Sequence, residues 1–479
     1  MQSKLRNPLF YIFITSPVVL WLLILLLPTF DDWTYITTPN GGLLGDDFAT
    51  FLRPFWSYWR PFDALTGYFL KHHYSLFPAF NHVLVYLAHL GSTYCVYRII
   101  DNIGASHFSR NIATIFFYLS PAVLGTVFGI DSINQAQSHF WGILALYVYL
   151  LNKDDRRKKH LYILLVIIAT FFKENGMAFL AAIPLFAHGF DRITRREMIK
   201  DWMIGGAVIA IYFAVRLSLT IDMAEINNAY FENTLASKLK HLAMFIGYPF
   251  FSLDYVSVFY PPTKNLFIAA ITALLAFPFT LVLIYFNRNQ LFNKRIIVCV
   301  ACWIILASPH LLTLFTTMHA YAGHSMAAIT IALLTEKTTE TQRRVVLCTF
   351  MAYLVSVLYI DYHHWIMSYR SGLTGKAMGE MAIRKTGTPQ QRVFTITIDH
   401  NETKYSSFCV IPVYAFGWGN AAKHATHYQW PTEMEDSTIF ENQIGNIPNI
   451  VNHAFNKGYP CVWIVERSDV KVVKQNVDP

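Results

Sequence analysis

The chain has 479 residues, 54% hydrophobic, 16% aromatic and only 14% charged, with a mean hydropathy of +0.35. A soluble domain carries about 25% charge, so composition excludes an ordinary soluble enzyme, and several apolar runs reach the roughly 20 residues needed to cross a bilayer. The formal charge of +8 does not point to nucleic acid, because the basic residues lie in short loops between apolar runs.

In chain order the apolar runs predict about eleven spans, near 9–28, 76–98, 109–127, 136–151, 161–175, 176–190, 202–219, 265–286, 296–315, 320–335 and 345–361. The first follows Lys4 and Arg6, is too long for a signal-peptide core and ends at Pro28 without a small-residue cleavage site, so it is expected to be retained. With the N-terminus in the cytoplasm, the inside loops carry Arg98 and Arg110, then Arg156–Lys159, Arg192–Lys200, Arg288–Arg295 and Lys337–Arg344. One orientation satisfies every short loop. The apolar stretch 238–262 is broken by Pro249, Asp254, Pro261 and Pro262 and is expected as a half-helix or interfacial segment on the outer side. An odd number of spans then places residues 363–479 outside. There, 392–399, 407–418 and 461–466 have strand composition, and part of 439–458 is helical, ending near Gly458. The expected fold is an all-α polytopic membrane domain, residues 1–362, followed by a small extracytoplasmic α/β domain, residues 363–479. Cys299 and Cys302 lie inside a predicted span and are read as core. Cys409 and Cys461 in the tail are a candidate disulfide in an oxidising compartment.

Chemistry concentrates in the first outer loop, 29–75, above all in Phe30–Pro61. It holds the acid pairs Asp31-Asp32 and Asp46-Asp47, the steps Arg53-Pro54 and Arg60-Pro61, and the rings of Trp33, Trp56, Tyr58 and Trp59. A carboxylate there can take a proton from a hydroxyl, and an arginine can hold a phosphate through paired hydrogen bonds. The rings suit an interfacial belt or a sugar platform. Three further outer stretches hold polar residues: Gly129–Asp131, Lys173-Glu174-Asn175 and Met318–Tyr321. Arg216 and Asp254 share that side. Ionisable groups at membrane depth are functional candidates by default. Lys173-Glu174 also reads as a self-neutralising pair, and Asp131 reads first as a helix cap or loop residue. His82 and His89 share a helix face but lack a matched third metal ligand, so they read as buried, hydrogen-bonded histidines.

In order along the chain, Asp31-Asp32-Trp33 with Asp47, Tyr58-Trp59-Arg60-Pro61-Phe62, Pro78 with His82 and His89, Phe172-Lys173-Glu174-Asn175-Gly176, Ser252-Leu253-Asp254-Tyr255 and His319-Ala320-Tyr321 form a series. Over about residues 1–335 this series resembles the GT-C glycosyltransferase superfamily, and most nearly the O-mannosyltransferases that carry tetratricopeptide repeats and their bacterial relatives. Here Gly125 stands where that family has an acid, His319 where it has an arginine, and the small outer domain where it has its repeats. The resemblance implies a polytopic enzyme that takes a sugar from a polyprenyl-phosphate carrier.

On that basis Asp32 or Asp31 is expected to deprotonate the acceptor hydroxyl, with Arg60, Lys173 and His319 on the donor phosphate. Glu174 would orient Lys173, and Asp47, Arg216 and Asp254 would support the site. No cofactor is required, and a divalent cation beside the acid pair is compatible with the scheme. The partners expected are the lipid-linked donor, membrane lipid and an extracytoplasmic glycan, lipid or protein acceptor, in a bacterial inner membrane. The alternative is a lipid-linked glycan transporter or flippase, or a glycan polymerase or ligase. Transporters commonly show internal repeats; this sequence has none, and its polar residues gather at one face.

Overall fold

The computed structural model describes residues 7–29, 32–33, 59–73, 78–152, 155, 160–219, 234–251, 254, 257, 265–312, 317–400, 412–427 and 429–475. The protein is mainly helical, with one small mixed sheet near its C-terminus. Helix α1 spans Pro8–Ile24, started by the Asn7 side chain on the Leu9 amide and by Pro8 in the first turn. The polar loop after α1 is helical in part of its described residues, with α2 at Pro61–His73. Then follow α3 (Pro78–Asn102), α4 (His107–Leu119), a short α5 (Pro121–Leu124) leading into a 3-10 turn, and α6 (Ile133–Leu151). Next come α7 (Leu161–Phe172), α8 (Phe179–Gly189), α9 (Arg195–Leu219), α10 (Leu235–Phe251), α11 (Leu266–Asn287), α12 (Lys294–Ala307) and α13 (Tyr321–Glu336). Last is α14, 47 residues from Glu340 to Thr386.

Each of the eleven apolar runs contains a helix, but among the described residues six helical stretches are long and apolar enough to cross a membrane: His82–Asn102, His107–Phe128, Arg195–Ser218, Leu266–Gln290, Lys294–Leu311 and Glu340–Thr386. The others are shorter or more polar. α7 stops at Phe172 because Lys173 is extended, and a 3-10 turn over Glu174–Ala178 intervenes before α8. The broken stretch after residue 234 is helical as far as Phe251 and reaches the core. Its last turn leaves carbonyls without intrahelical partners. Tyr353 Oη donates to the Pro249 carbonyl at 3.0 Å and Thr280 Oγ1 to that of Phe250 at 2.9 Å.

One large core, containing Phe116, Phe186, Phe279, Trp303 and Tyr353, unites most of the bundle. A second joins Leu23, Trp33, Val85 and Phe128 to Met378, Phe416 and Trp463, so the C-terminal part packs directly on the bundle. α14 supplies the continuity. It passes unbroken through position 362, where sequence places the end of the membrane domain, and stops at Gly387 in a positive-φ conformation.

The sheet has the order β2-β1-β3-β4, from strands β1 (Arg392–Asp399), β2 (Glu433–Phe440), β3 (Cys461–Glu466) and β4 (Asp469–Lys474). β1 is parallel to β2 and β3, and β4 returns antiparallel to β3. Phe394, Ile396 and Ile398 face a third core with Val451 and Ala454 of the helix Ile447–Asn456. β1 and β3 match the expected strands. The expected strand 407–418 does not form over its described part. Pro412 opens a helical turn to Ala415, and Gly417, Trp418 and Gly419 all take positive φ. Cys461 is a buried free thiol, and Cys409 lies outside the described residues. Cys299 and Cys302 are buried core residues as expected.

Candidate active site

Contacts bring together the junctions after α1 and between α5 and α6, and likewise those before α2, between α7 and α8, and between α12 and α13. Asp32 follows α1 and is 3% exposed. Its Oδ1 accepts from the amides of Ile130 (2.7 Å) and Asp131 (2.8 Å), and Oδ2 from that of Thr29 (3.2 Å). A carboxylate has about four acceptor positions, so backbone amides fill most of them. The Asp131 carboxyl lies within electrostatic reach of Asp32. Two carboxyls in this relation titrate as a pair. Burial first, and then the Asp131 charge, hold Asp32 well above the usual carboxylate range, against the pull of the three amides. Burial raises half-buried Asp131 as well, and the nearby Lys173 ammonium opposes that rise.

Asp131 lies in the turn just ahead of α6, in keeping with its reading as a loop residue, and its amide also donates to Asp32. An acid two residues ahead of a helix is indistinguishable in sequence from a cap. Only the fold reveals that its amide meets Asp32.

Lys173 is 8% exposed and lies within electrostatic reach of Arg60, Asp131, Glu174 and Asp63. Glu174 takes Arg60 as its ion-pair partner: Oε2 meets Arg60 Nε at 2.7 Å and Nη2 at 2.6 Å, with side-chain exposures of 19% and 18%. Glu174 is thus hydrogen-bonded to Arg60 across the loop, and it also lies within electrostatic reach of its sequence neighbour Lys173. Pro61 opens α2 directly after Arg60 and fixes the chain there. Next to Lys173, Asn175 Nδ2 contacts His310 Nε2 at 3.0 Å and its Oδ1 accepts from Ser138 at 3.1 Å. The His310 ring stacks on His319, with centroids 4.2 Å apart and planes 18° apart. His319 thus joins the group through His310, which faces the charges of Lys173 and Arg60. Sequence missed His310 because it sits at the end of an apolar run. It also missed Asp63, which is buried and lies 3.5 Å from Asn134.

Arg216 lies on α9, stacked over Phe213 at 5.9 Å and near Tyr212. Asp254 meets a different set: His363 Nδ1 at 2.8 Å, His364 Nε2 at 3.3 Å and the Ser257 hydroxyl at 2.8 Å. Asp31 and Asp47 lie outside the described residues. Among the described residues no group of three or more His, Cys, Asp or Glu is placed to hold a metal ion. His89 is a buried core residue, 3.1 Å from the Tyr118 carbonyl and stacked on its ring.

Beside Arg60, an apolar cavity of about 130 Å³ opens between α7, α8 and α9, lined by Trp59, Phe171, Met177, Tyr212 and Val215 among others. Tyr212 Oη donates to the Trp59 carbonyl at 3.0 Å, so one wall is fixed to the residue preceding Arg60. The arrangement unites a buried and a half-buried carboxyl, two cations, two stacked histidines and an apolar slot.

No protein-family model matches the chain, and no curated protein matches it. Among solved structures it is similar to an oligosaccharyltransferase of Archaeoglobus fulgidus, crystallised with zinc and sulfate, at 12% identity and a TM-score of 0.43. The similarity covers 85% of this chain and 58% of that one.

Proposed function

We propose that this protein is a membrane glycosyltransferase that moves a sugar from a polyprenyl-phosphate donor to an acceptor hydroxyl at the outer face. The observation that carries the reading is the convergence of Asp32, Asp131, Arg60, Lys173, His310 and His319 from separate helix junctions, next to an apolar slot. An amphiphilic donor needs both features. The slot suits an isoprenoid chain, and Arg60 and Lys173 suit the phosphate at its head.

In the proposed reaction the Asp32–Asp131 pair takes the proton from the acceptor hydroxyl. The hydroxyl oxygen forms a bond to the anomeric carbon as the bond from that carbon to the phosphate oxygen breaks. The bonding electrons pass to the leaving lipid phosphate, whose growing charge faces Arg60 and Lys173. A single displacement inverts the anomeric centre. A carboxyl with a raised pKa is a stronger base than an ordinary one, once ionised. The membrane is the bacterial inner membrane, with the N-terminus inside and the C-terminal domain outside. No cofactor takes part, and a divalent cation remains compatible with the carboxyl pair.

The test uses purified protein in nanodiscs, given radiolabelled polyprenyl-phosphate hexoses and cell-envelope acceptor extract. Protein-dependent release of lipid phosphate, with the label moving to an acceptor, is the expected result. In sealed vesicles, movement of intact donor across the bilayer without release would support the transporter reading instead.

A further inference from the structure

The buried Asp32 does not stand alone: the segment that carries it is gripped by the C-terminal half of the protein. Trp365 Nε1 on α14 donates to the Leu22 carbonyl at 2.9 Å, and Ser371 Oγ meets Thr29 Oγ1 at 3.1 Å. Thr29 in turn gives its amide to Asp32. The next residue, Trp33, is 2% exposed and reaches into the C-terminal domain. Its Nε1 donates to the Ala415 carbonyl at 2.9 Å, and its ring lies 5.1 Å from that of His424. The close approach depends on Gly375 of α14, where a Cβ would lie 2.2 Å from the Ala415 oxygen and 3.0 Å from Trp33 Nε1. Ala415 leads into the turn Gly417–Trp418–Gly419, where Trp418 is held at φ 51. The Asn420 side chain closes the turn on the Gly417 carbonyl at 2.9 Å.

We infer that the C-terminal α/β domain is a positioning element for the transfer reaction, which holds the Asp32 carboxyl against the Ile130 and Asp131 amides through Trp33. Trp33, Gly375 and the Ala415 carbonyl are the positioning residues. His424 is kept neutral, its pKa lowered to about 4 by burial and then by His427 and Lys376, so it meets Trp33 as an uncharged ring at neutral pH. A small displacement of a reacting group can lower a rate by about 10²-fold, which makes such a grip consequential. The inference rests on the reading of Asp32 as part of the base.

The test compares the full-length protein with Gly375→Ala, which forces the domain away from α14, and with the milder Trp33→Phe, which keeps a ring and removes the N–H donor. Hydrogen exchange at the Ile130 and Asp131 amides reports the placement of Asp32 without reference to activity. Both amides are expected to exchange about tenfold faster in each variant, while amides within α13 keep their protection. Turnover should fall about tenfold or more with the donor KM unchanged. Unchanged exchange at residues 130 and 131 in both variants would overturn the inference. Faster exchange with undiminished turnover would leave the grip standing and overturn the reading of Asp32 as base.

Discussion

The two ends of the helix bundle carry charge in opposite ways. At one end Lys294 and Asp191 meet at 2.7 Å with side chains 53% and 67% exposed, among the basic loops. At the other Arg60 and Glu174 meet at 2.6 Å with exposures of 18% and 19%, beside two carboxyls and a lysine removed from water. The distances are nearly the same, yet the physics differs. An exposed pair exchanges water for a partner at little net gain. A buried group without its partner is left as an uncompensated charge. The difference teaches where to look: substitutions at the exposed pair should cost little, and substitutions at the buried group should cost much more.

The largest effect should come from Asp32→Asn. Its amide would present N–H groups to backbone donors that now face an acceptor, and the base would be lost. Transfer should fall by about 10²- to 10⁴-fold, measured with purified, folded protein. Lys173→Ala and Arg60→Ala should each lower turnover by about 10²-fold at saturating donor. Arg60→Lys should recover only part, because the planar fork that engages Glu174 is lost. Wild-type turnover in Arg60→Ala would move the phosphate site elsewhere. At the small end, Lys294→Ala should leave both turnover and melting temperature unchanged within error. A clear loss there would show that the two ends are not so different.

Much of this organisation was legible before the fold. The polar first loop drew attention to Asp32 and Arg60, and the short polar breaks between apolar runs to Lys173, Glu174 and His319, because hydropathy makes such stretches conspicuous. Their pairings were not legible. Glu174 prefers an arginine 114 residues away to the lysine beside it, and nothing local encodes that choice. Asp131 was named among the polar stretches but read first as a cap or loop residue, because nothing local shows that its amide meets Asp32. Strands β1 and β3 were visible in their β-branched runs, whereas β2, Glu433–Phe440, carries acids that edge strands tolerate and sequence patterns penalise. β4 follows β3 through a tight turn in which Arg467 has φ 54, a conformation that the sequence did not advertise. The reach of α14 to Thr386 was missed because its last 25 residues are polar on the outside and small where they pack, at Gly372, Gly375 and Gly379.

The most direct test is the pH dependence of single-turnover transfer for the wild type and for Asp131→Asn. Asp32 must be ionised to accept a proton, so the rate should rise with pH through its pKa. Burial and the Asp131 charge raise that pKa, so the acid limb should lie above the ordinary carboxylate value of about 4. Removing the Asp131 charge, and leaving Lys173 free to favour the Asp32 carboxylate, should move the limb to lower pH. A limb that lies near about 4 in the wild type, or that does not move in Asp131→Asn, would contradict the carboxyl pair as the base.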